Sequence, residues 1–492
     1  MAQPYVRVDV WTLAEDDPII TAYADAVAAM QQKSSEASQQ NDPTGWRFQA
    51  ALHGTENGPP QVPPTPPANQ CQHNSWYFMP WHRMYVYYFE QVVRAYVIAN
   101  GGPNNWALPY WNYDGGGNSA MLPPAFRNTS SPLYTAMRAR SVNAGAPLPS
   151  SVTSPAAAFA LTTFTGSGEF GGGNITAPLQ FYSEPGQLEQ TPHDVVHSAV
   201  GGRTGLMSNI LTAAQDPIFW LHHANIDRLW WLWTQQNGNS NPSDSAWLNQ
   251  DFLSVGGFFD AKGNPIQTGV LTCGAVRDPA SLPAGYTYDQ QVAPRVASMA
   301  RVNWPEPWPE WPQTPARAAS PRHLLGATER QVRLVGQAVT VPVTIDERVT
   351  ASLRASPATE HQHRVFLEVE DIDAARNPGI VYGVYVNLPS NPTDADLEAH
   401  HAGNISLFGI EVAQNPRRDE HPHNMRISMN ITRLLDRLAA GGVWTDGRTL
   451  TITLRPITLG VPPGREDLAE EIADTTHDDV PVTIGRISVQ YV

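Results

Sequence analysis

The sequence has little cysteine, little charge and no long apolar run. Only two of its 492 residues are cysteines, Cys71 and Cys273, so a disulfide framework is excluded and a reducing compartment is favoured. Charged residues make up 16% of the chain and its net charge is −15, which disfavours binding to nucleic acid. No apolar run reaches the roughly 18 residues of a membrane span. The N-terminal residues show no secretory signal, so a cytoplasmic location is expected.

The residues that are abundant point to a densely packed globular protein with many loops. Hydrophobic residues make up 41% of the chain, with 15 tryptophans and 44 prolines, and the length favours two domains. Of the 15 histidines, seven lie between positions 53 and 223 and none lies between 224 and 322. Such clustering indicates a site and not a scatter of surface histidines.

The stretch DPIFWLHHANIDRLWWLW, residues 216–233, predicts a buried helix. Asp216 followed by Pro217 is a helix start signal, and the apolar residues that follow recur at helical spacing. Imidazole and charged groups are expensive to bury unless they are paired or bind a metal. Five such polar residues interrupt this apolar helix, namely His222, His223, Asn225, Asp227 and Arg228.

The segment HDVVH places His193 and His197 four residues apart, on one face of a helix, as two ligands of one metal require. Its second residue is Asp194 and not glutamate, so it is not the HExxH motif of zinc proteases. Three more histidines, in ALHG, CQH and PWHR, are His53, His73 and His82.

The pieces ALHG, CQHNSWYFMPWHRMYVYYFE, LEQTPHDVVH and DPIFWLHHANIDRLW resemble, in order and spacing, the type-3 dicopper family of tyrosinases, catechol oxidases and haemocyanins. Six neutral imidazoles suit copper, with zinc in the same cage as the alternative. The resemblance implies two copper ions, CuA bound by His53, His73 and His82, and CuB bound by His193, His197 and His223.

The same resemblance implies roles for neighbouring residues. Cys71 is expected to form a thioether to His73, as in fungal tyrosinases and molluscan haemocyanins, with a small buried hydrophobe as the alternative. Glu189 matches a glutamate that holds a water near CuB, where the water can take the proton of a phenol. Asp194 stands where many tyrosinases have asparagine, which predicts either weaker monophenol hydroxylation or a second acidic group acting as base. Ile210 stands where plant catechol oxidases place a bulky phenylalanine over CuA, which predicts a wider substrate gate.

Other polar residues of the motifs are predicted to support the site. His222 is expected to lie outside the ligand set, because adjacent helical residues point in different directions. Asn225, Asp227 and Arg228 match the family's HHxNxDR and are predicted to orient ligands or tie helices together. The predicted partners in buried ion pairs are Arg83, Glu90, Asp227 and Arg228.

The predicted fold class is α+β with several domains. A mainly α, four-helix dicopper domain is expected over residues 1–300, a Pro/Trp-rich linker over 301–334, and a β-sandwich or barrel over 335–492. GYTYD, residues 285–289, resembles the tyrosine motif that closes the catalytic core in plant-like members. FLEVEDID, YGVYVN and HAGNISLFGIE resemble the C-terminal domain of plant-type polyphenol oxidases, which packs over the dicopper site and keeps the enzyme latent. The helices are predicted at 18–32, 46–52, 80–99, 191–199 and 216–236.

The resulting hypothesis is a bacterial, cytoplasmic tyrosinase that uses O₂ to hydroxylate monophenols and to oxidise o-diphenols to o-quinones. The alternatives are a catechol oxidase without monophenolase activity, an o-aminophenol oxidase and, from another class, a haemocyanin-like O₂-binding protein. The single copper domain and the plant-like C-terminal motifs argue against the O₂ carrier. The expected partners are small phenolic substrates and O₂, with neither nucleic acid nor membrane, and a homo-oligomer is compatible with the sequence.

Overall fold

The computed structural model shows an α+β protein in which a mainly helical N-terminal part is followed by a sheet domain. Within the described residues, no helix is long and apolar enough to cross a membrane. The described residues are 4–39, 41–56, 68–178, 181–253, 256–267, 269–290, 322–345, 364–414, 424–443 and 449–491.

The N-terminal part contains ten α-helices, among the described residues, and four of the five predicted helices lie close to their predicted bounds. The predicted helix 191–199 is split into a wide helical turn, Glu189–Asp194, with extended backbone at Thr191, and a short helix that follows it. The helices are α1 (Pro18–Ser35), α2 (Trp46–His53), α3 (Phe78–Ala99), α4 (Pro124–Arg127), α5 (Arg140–Asn143), α6 (Ser150–Thr153), α7 (Ala156–Phe159), α8 (Val195–Gly201), α9 (Ile218–Thr234) and α10 (Ser245–Leu248).

Acidic residues accept hydrogen bonds at the starts of α1 and α9. Asp17 accepts a hydrogen bond from the backbone N–H of Ile19 at 2.8 Å, and Pro18 occupies the first position of α1. Asp216 accepts from the N–H of Ile218 at 3.1 Å and also binds the buried guanidinium of Arg138. The start signal read from the sequence at Asp216 is therefore made by a hydrogen bond.

Helices α3 and α9 pack against each other through large aromatic residues. The rings of Phe89 and Trp220 stack with centroids 3.4 Å apart, and Tyr85 also packs on Trp220 at 4.7 Å. Arg83 of α3 lies over the ring of Trp230 of α9, with its guanidinium carbon 3.7 Å from the centroid. This contact fixes the helix pair that carries His82 and His223.

A buried ion network ties the N-terminal strand to α3 and α9. Strand β1 (Tyr5–Arg7) pairs in parallel with β2 (Tyr286–Tyr288), within the GYTYD motif. The guanidinium of Arg7, fully buried, lies 2.6 Å from Glu90 and 3.1 Å from Asp227. Both tyrosine hydroxyls of β2 donate to Asp227 at 2.5 Å. Asp227 therefore ties helices together, as predicted, but Arg7 was not among the predicted partners.

The other predicted ion-pair partners behave in two ways. Arg83 pairs with Asp227. Arg228 lies instead 3.3 to 3.4 Å from amide and carbonyl oxygens, including that of Asn225. Among the described residues Arg228 has no ion pair, so its part of the prediction stays a prediction.

The C-terminal part consists of two antiparallel sheets whose buried strands join the common hydrophobic core. One sheet has the order β5-β10-β7-β8; the other has the order β3-β11-β6-β9, with β4 also paired to β11. The strands are β3 (His323–Ala327), β4 (Val332–Leu334), β5 (Val339–Thr344), β6 (Val365–Asp373), β7 (Tyr382–Val386), β8 (His401–Ile405), β9 (Met425–Asn430), β10 (Thr449–Pro456) and β11 (Val482–Tyr491). Where the structure describes this part of the chain, four helices accompany the strands, α11 (Asp394–His400), α12 (Ile410–Gln414), α13 (Thr432–Ala440) and α14 (Ala469–Ala473).

The sheet domain begins earlier than residue 335. Strands β3 and β4 lie within the segment predicted as linker, and both pair with β11 near the end of the chain. Apolar and polar residues alternate only weakly along β3, and Leu324 is 53% exposed. The strand can therefore be recognised only from its pairing with β11, which is distant in sequence. The rest of the predicted linker, 301–321, lies outside the described residues.

Candidate metal centre

Six histidines from six segments of the chain face one another at the centre of the helical part. Each is at most 3% exposed, so the group is sealed from solvent. His53 ends α2, His73 lies in the loop before α3, His82 lies near the start of α3, His193 lies in the wide turn, His197 lies on α8 and His223 on α9.

His53, His73 and His82 form the first set, with ring centroids between 5.0 and 5.5 Å apart. Their ligand atoms fall into two compact groups, each within 4.8 Å. His53 and His73 share one group with Cys71, and His53 and His82 share the other with His223. The structure therefore brings together the three residues assigned to CuA.

His193, His197 and His223 form the second set, with ring centroids between 4.6 and 5.5 Å apart. The inward nitrogens of His197 and His223 lie 3.3 Å apart. The two sets adjoin, because the rings of His82 and His223 stack at 4.5 Å with an interplanar angle of 13°. The arrangement is therefore one double site and not two separate ones.

His222 lies closer to the second set than predicted. Its ligand atom lies with those of His193, His197 and His223, all within 4.8 Å of one another. Its closeness to the cluster does not make it a ligand, so the expectation that His222 lies outside the ligand set stays a prediction.

Hydrogen bonds from Nδ1 to backbone carbonyls fix the tautomer of the His53, His82 and His197 rings. A carbonyl oxygen only accepts, so Nδ1 carries the proton and Nε2 presents its lone pair to the centre. The Nε2 atoms of His53, His82 and His193 are buried and have no hydrogen-bond partner among the described residues. The Nδ1-to-carbonyl distances are 2.9 Å from His53 to Ile210, 2.8 Å from His82 to Phe78 and 3.0 Å from His197 to Met207.

Burial keeps these imidazoles neutral. It lowers the pKa of His53 and of His222 to about 3. Burial, followed by the neighbouring imidazoles, holds the pKa of His193 and of His197 well below the usual value. Neutral rings are the form in which histidine binds a metal.

Two buried carboxyl groups lie beside the second set. Asp194 accepts from His193 Nδ1 at 2.8 Å, and Glu189 accepts from the backbone N–H of Asn74, the residue after His73, at 2.7 Å. Burial raises the pKa of both carboxyls, and the charge of Asp194 raises that of Glu189 further. The second oxygen of Glu189 is buried without a hydrogen-bond partner among the described residues.

This donor set fits copper. Buried imidazoles, four of them oriented by acceptors at Nδ1, are borderline ligands that suit copper and zinc. Two adjoining sets of at least three imidazoles match a pair of ions. The geometry alone does not choose between the two metals.

The structure also places the predicted neighbours. Cys71 is fully buried beside His73, with its sulfur within 4.8 Å of the ring's ligand atom. Ile210 is fully buried next to the first set, and its carbonyl accepts from His53. Its role as a substrate gate stays a prediction. Asn225 accepts from Arg228 at 3.3 Å.

Phe408 of the sheet domain covers the site, and no sequence argument singled it out. Its ring stacks on His197 with centroids 4.1 Å apart and an interplanar angle of 13°. It also lies 5.6 Å from His193 and 5.8 Å from His73. The segment HAGNISLFGIE contains this residue, but which side chain of the segment faces the site depends on the docking of the domain.

Comparison with known proteins agrees with this site. Residues 43–236 match the model of the common central domain of tyrosinase, and residues 321–492 match a domain of unknown function, DUF7868. The chain is 29% identical to tyrosinase HcTyr1 of Hahella sp. strain CCB-MM4, with 98% of each chain covered. It is 26% identical to the chloroplastic (+)-larreatricin hydroxylase of Larrea tridentata, covering 90% of this chain and 75% of that protein.

Solved structures share the whole fold. A latent aurone synthase (polyphenol oxidase) aligns with a TM-score of 0.64 at 19% identity, covering 100% of this chain and 90% of that one. Latent apple tyrosinase aligns with a TM-score of 0.60 at 21% identity, covering 100% and 98%. Residues 43–236 are therefore a tyrosinase-type central domain, and the chain is a dicopper oxidoreductase that acts on phenols.

Proposed function

We propose that this protein is a tyrosinase that uses O₂ to hydroxylate monophenols at the ortho position and to oxidise the resulting o-diphenols to o-quinones. The observation that carries the proposal is the double set of buried imidazoles, whose ligand atoms lie in overlapping groups each within 4.8 Å. A relative named as a tyrosinase and another named as a hydroxylase support the hydroxylation step.

In this proposal one copper ion binds to each set of imidazoles. Bound copper supplies the electron transfer between the phenol and O₂. The chain's own contribution is to hold the rings in one tautomer and to exclude bulk water. The ligands are His53, His73 and His82 for CuA, and His193, His197 and His223 for CuB.

The proton of the phenol needs an acceptor, and Glu189 supplies one. Its unpartnered oxygen is buried beside the second set, where it can hold a water or take the proton directly. Asp194 accepts from His193 Nδ1, so its main task is to orient that ring.

One observation favours the second candidate, a catechol oxidase without monophenolase activity. Asp194 raises the pKa of Glu189, and a protonated Glu189 cannot accept the phenol proton. An o-diphenol depends less on this acceptor, because its hydroxyl groups are more acidic and its ring needs no hydroxylation.

The test is a steady-state assay of the copper-loaded protein, after release of the sheet domain, on a monophenol and on the matching o-diphenol. Two copper ions per chain and turnover of both substrates are expected. Turnover of the o-diphenol alone would make the protein a catechol oxidase. Reversible O₂ binding without turnover of either substrate would make it an O₂ carrier.

We also propose that the sheet domain, which begins by residue 322, keeps the enzyme latent. Phe408 occupies the space above His197, and the imidazoles are at most 3% exposed, so a phenol has no route to the metals while this domain is docked. Cleavage within 301–321 followed by separation of the two parts is expected to raise activity. Equal turnover by the intact and the separated protein would contradict this proposal.

Cys71 is proposed to form a thioether with the imidazole of His73. Bond formation joins its sulfur to a ring carbon, removes two hydrogen atoms and reduces O₂, the same oxidant that the phenol reaction uses. A loss of mass equal to two hydrogens in the peptide containing both residues is expected, and an unchanged mass after copper loading in air would exclude the bond. The cytoplasmic location and the oligomeric state stay predictions.

A further inference from the structure

Side chains of the sheet domain reach beyond Phe408 to the segment that carries His193 and His197. The hydroxyl of Ser406 donates to the backbone oxygen of Asp194, the residue after His193, at 2.9 Å. The same hydroxyl lies 2.9 Å from that of Ser198, the residue after His197. One serine of the covering domain thus contacts the residues that follow both ligands.

Asn377 makes a second bridge to this segment. Its amide donates to the hydroxyl of Ser198 at 3.0 Å and to the backbone oxygen of Ser208 at 2.9 Å. Asn377 is itself fixed, because its amide oxygen accepts from the N–H of Gly379 and its N–H donates to Glu411. The bridge therefore starts from a rigid loop.

Asn404 makes the third bridge, just before His193. Its amide donates to the hydroxyl of Thr191 at 3.2 Å and to the carbonyl of Ser151 at 2.7 Å. Asn377, Asn404 and Ser406 are each at most 4% exposed. Water therefore does not compete with these hydrogen bonds.

The segment that receives these bonds has little stability of its own. Helix α8 has seven residues, and isolated helices of this length do not form in water. The turn before it contains extended backbone at Thr191 and a proline at position 192. The register of both ligands therefore depends on tertiary contacts, and three buried side chains of the sheet domain supply some of them. Its contact with His73 of the first set, by comparison, is a ring contact at 5.8 Å.

We propose that Ser406, Asn377 and Asn404 are positioning residues for CuB. The sheet domain both covers the double site and holds the segment around α8 in the register that binds this ion, so retention of CuB depends on the domain more than retention of CuA does. The inference rests on the proposed assignment of His193, His197 and His223 to CuB. Dissociation of the sheet domain then exposes the double site and weakens the binding of CuB.

The experiment measures copper affinity at one site at a time in the full chain. A His82→Ala background leaves CuB as the intact site, and a His223→Ala background leaves CuA. In the His82→Ala background, adding Ser406→Ala is expected to raise the copper Kd about tenfold, because the segment that carries the CuB ligands loses a hydrogen-bond partner. In the His223→Ala background, the same substitution is expected to leave the copper Kd unchanged. The readout is competition for copper with a chelator of known affinity.

Arg322→Gln is the matched control, since Arg322 binds the carbonyl of Ser167 across the same domain interface but away from α8. It is expected to change neither Kd. Equal weakening at both sites, the same CuB loss in the control, or no change at CuB would overturn the inference. If Ser406→Ala does not fold, Ser198→Ala removes the shared contact from the other side and is judged by the same two Kd values.

The parent chain without background substitutions separates this inference from the proposed function. Two copper ions and phenol turnover after domain release support the function, whatever Ser406→Ala does. A parent that binds no copper would overturn both. A parent with full copper and turnover, but equal effects at the two sites, would overturn the inference alone.

Discussion

The two buried carboxyl groups beside the second set of histidines control where the phenol proton can go. Replacing Asp194 by asparagine keeps an oxygen for His193 Nδ1 but removes the charge that raises the pKa of Glu189. The pKa of Glu189 is then expected to fall, so the ionised acceptor persists to lower pH. The ratio of monophenol to o-diphenol kcat/KM should rise about tenfold. The fall of this ratio in acid should also begin at a lower pH. Steady-state assays of released protein over a pH series measure this.

Glu189→Gln is the companion variant. The amide cannot take a proton, so monophenol turnover should fall about a hundredfold while o-diphenol turnover falls much less. Equal losses for both substrates would show that Glu189 acts by holding the loop at Asn74, to which it is hydrogen-bonded, and not as a proton acceptor.

The buried histidines make the metal-free protein sensitive to acid. Burial lowers the pKa of His53 to about 3 from the usual 6.5. Above the higher value neither the folded nor the unfolded state holds this proton. Between the two values only the unfolded chain binds it, so the free energy of unfolding falls as the pH falls. His53→Asn should therefore lose less stability than the parent between neutral pH and about pH 5.

Thermal unfolding of the copper-free parent and the His53→Asn variant at both pH values provides the measurement. The raised pKa of Glu189 and of Asp194 acts in the opposite direction, since those groups stabilise the fold in acid. Both proteins keep these carboxyls, so the difference between their slopes isolates His53. Identical slopes would contradict the depressed pKa.

The loop that seats the sheet domain on α8 offers a test of latency in the intact chain. Gly379 has φ of 71°, and a Cβ there would collide with the backbone of Gly202 and Arg203 at the end of α8. Gly379→Ala therefore destabilises the docked state by about 1–3 kcal/mol. Because about 1.4 kcal/mol is a factor of ten in an equilibrium, activity of the uncleaved chain should rise about tenfold.

Gly464→Ala is the control for backbone strain, because Gly464 has a similar φ of 73° and no atom within 4 Å of an added Cβ. It should leave the activity of the uncleaved chain unchanged. A similar rise in both variants would show that general destabilisation, and not undocking at α8, opens the site.

The elements that carry the histidines could be predicted because their signals are local. The cap at Asp216 and the apolar spacing after it define α9, and the i, i+4 spacing of His193 and His197 puts both on one face. The position of His222 could not be predicted from spacing, since it depends on how near α9 passes to α8. Arg7 likewise gave no signal, because its partners Glu90 and Asp227 are distant in sequence.

At the scale of the whole molecule, the sequence predicted two parts and a covering role but not the contacts between them. The bounds of the sheet domain depend on β3 and β4, which are recognisable only once paired with β11. The contacts of Phe408, Asn377 and Ser406 with the helical part form only when the sheet domain is docked. No periodicity in the sequence predicts that docking. The motifs identify the metal ligands, and packing between segments distant in sequence determines how the sheet domain covers them.

Cutting the chain between the two parts should not by itself open the site. The described contacts of Phe408, Asn377, Asn404 and Ser406 are buried and join residues outside 301–321, so a cut within that segment leaves these contacts in place. A severed tether lowers the effective concentration of the sheet domain from about the millimolar range to its actual concentration.

Activity per molecule of cleaved protein is therefore expected to rise on dilution, after a lag set by dissociation of the sheet domain, whereas the activity of uncleaved protein does not depend on dilution. Progress curves over a dilution series, with size-exclusion chromatography of the same samples, measure this. Full activity immediately after cleavage at high concentration would show that the tether, and not the interface around α8, keeps the domain in place.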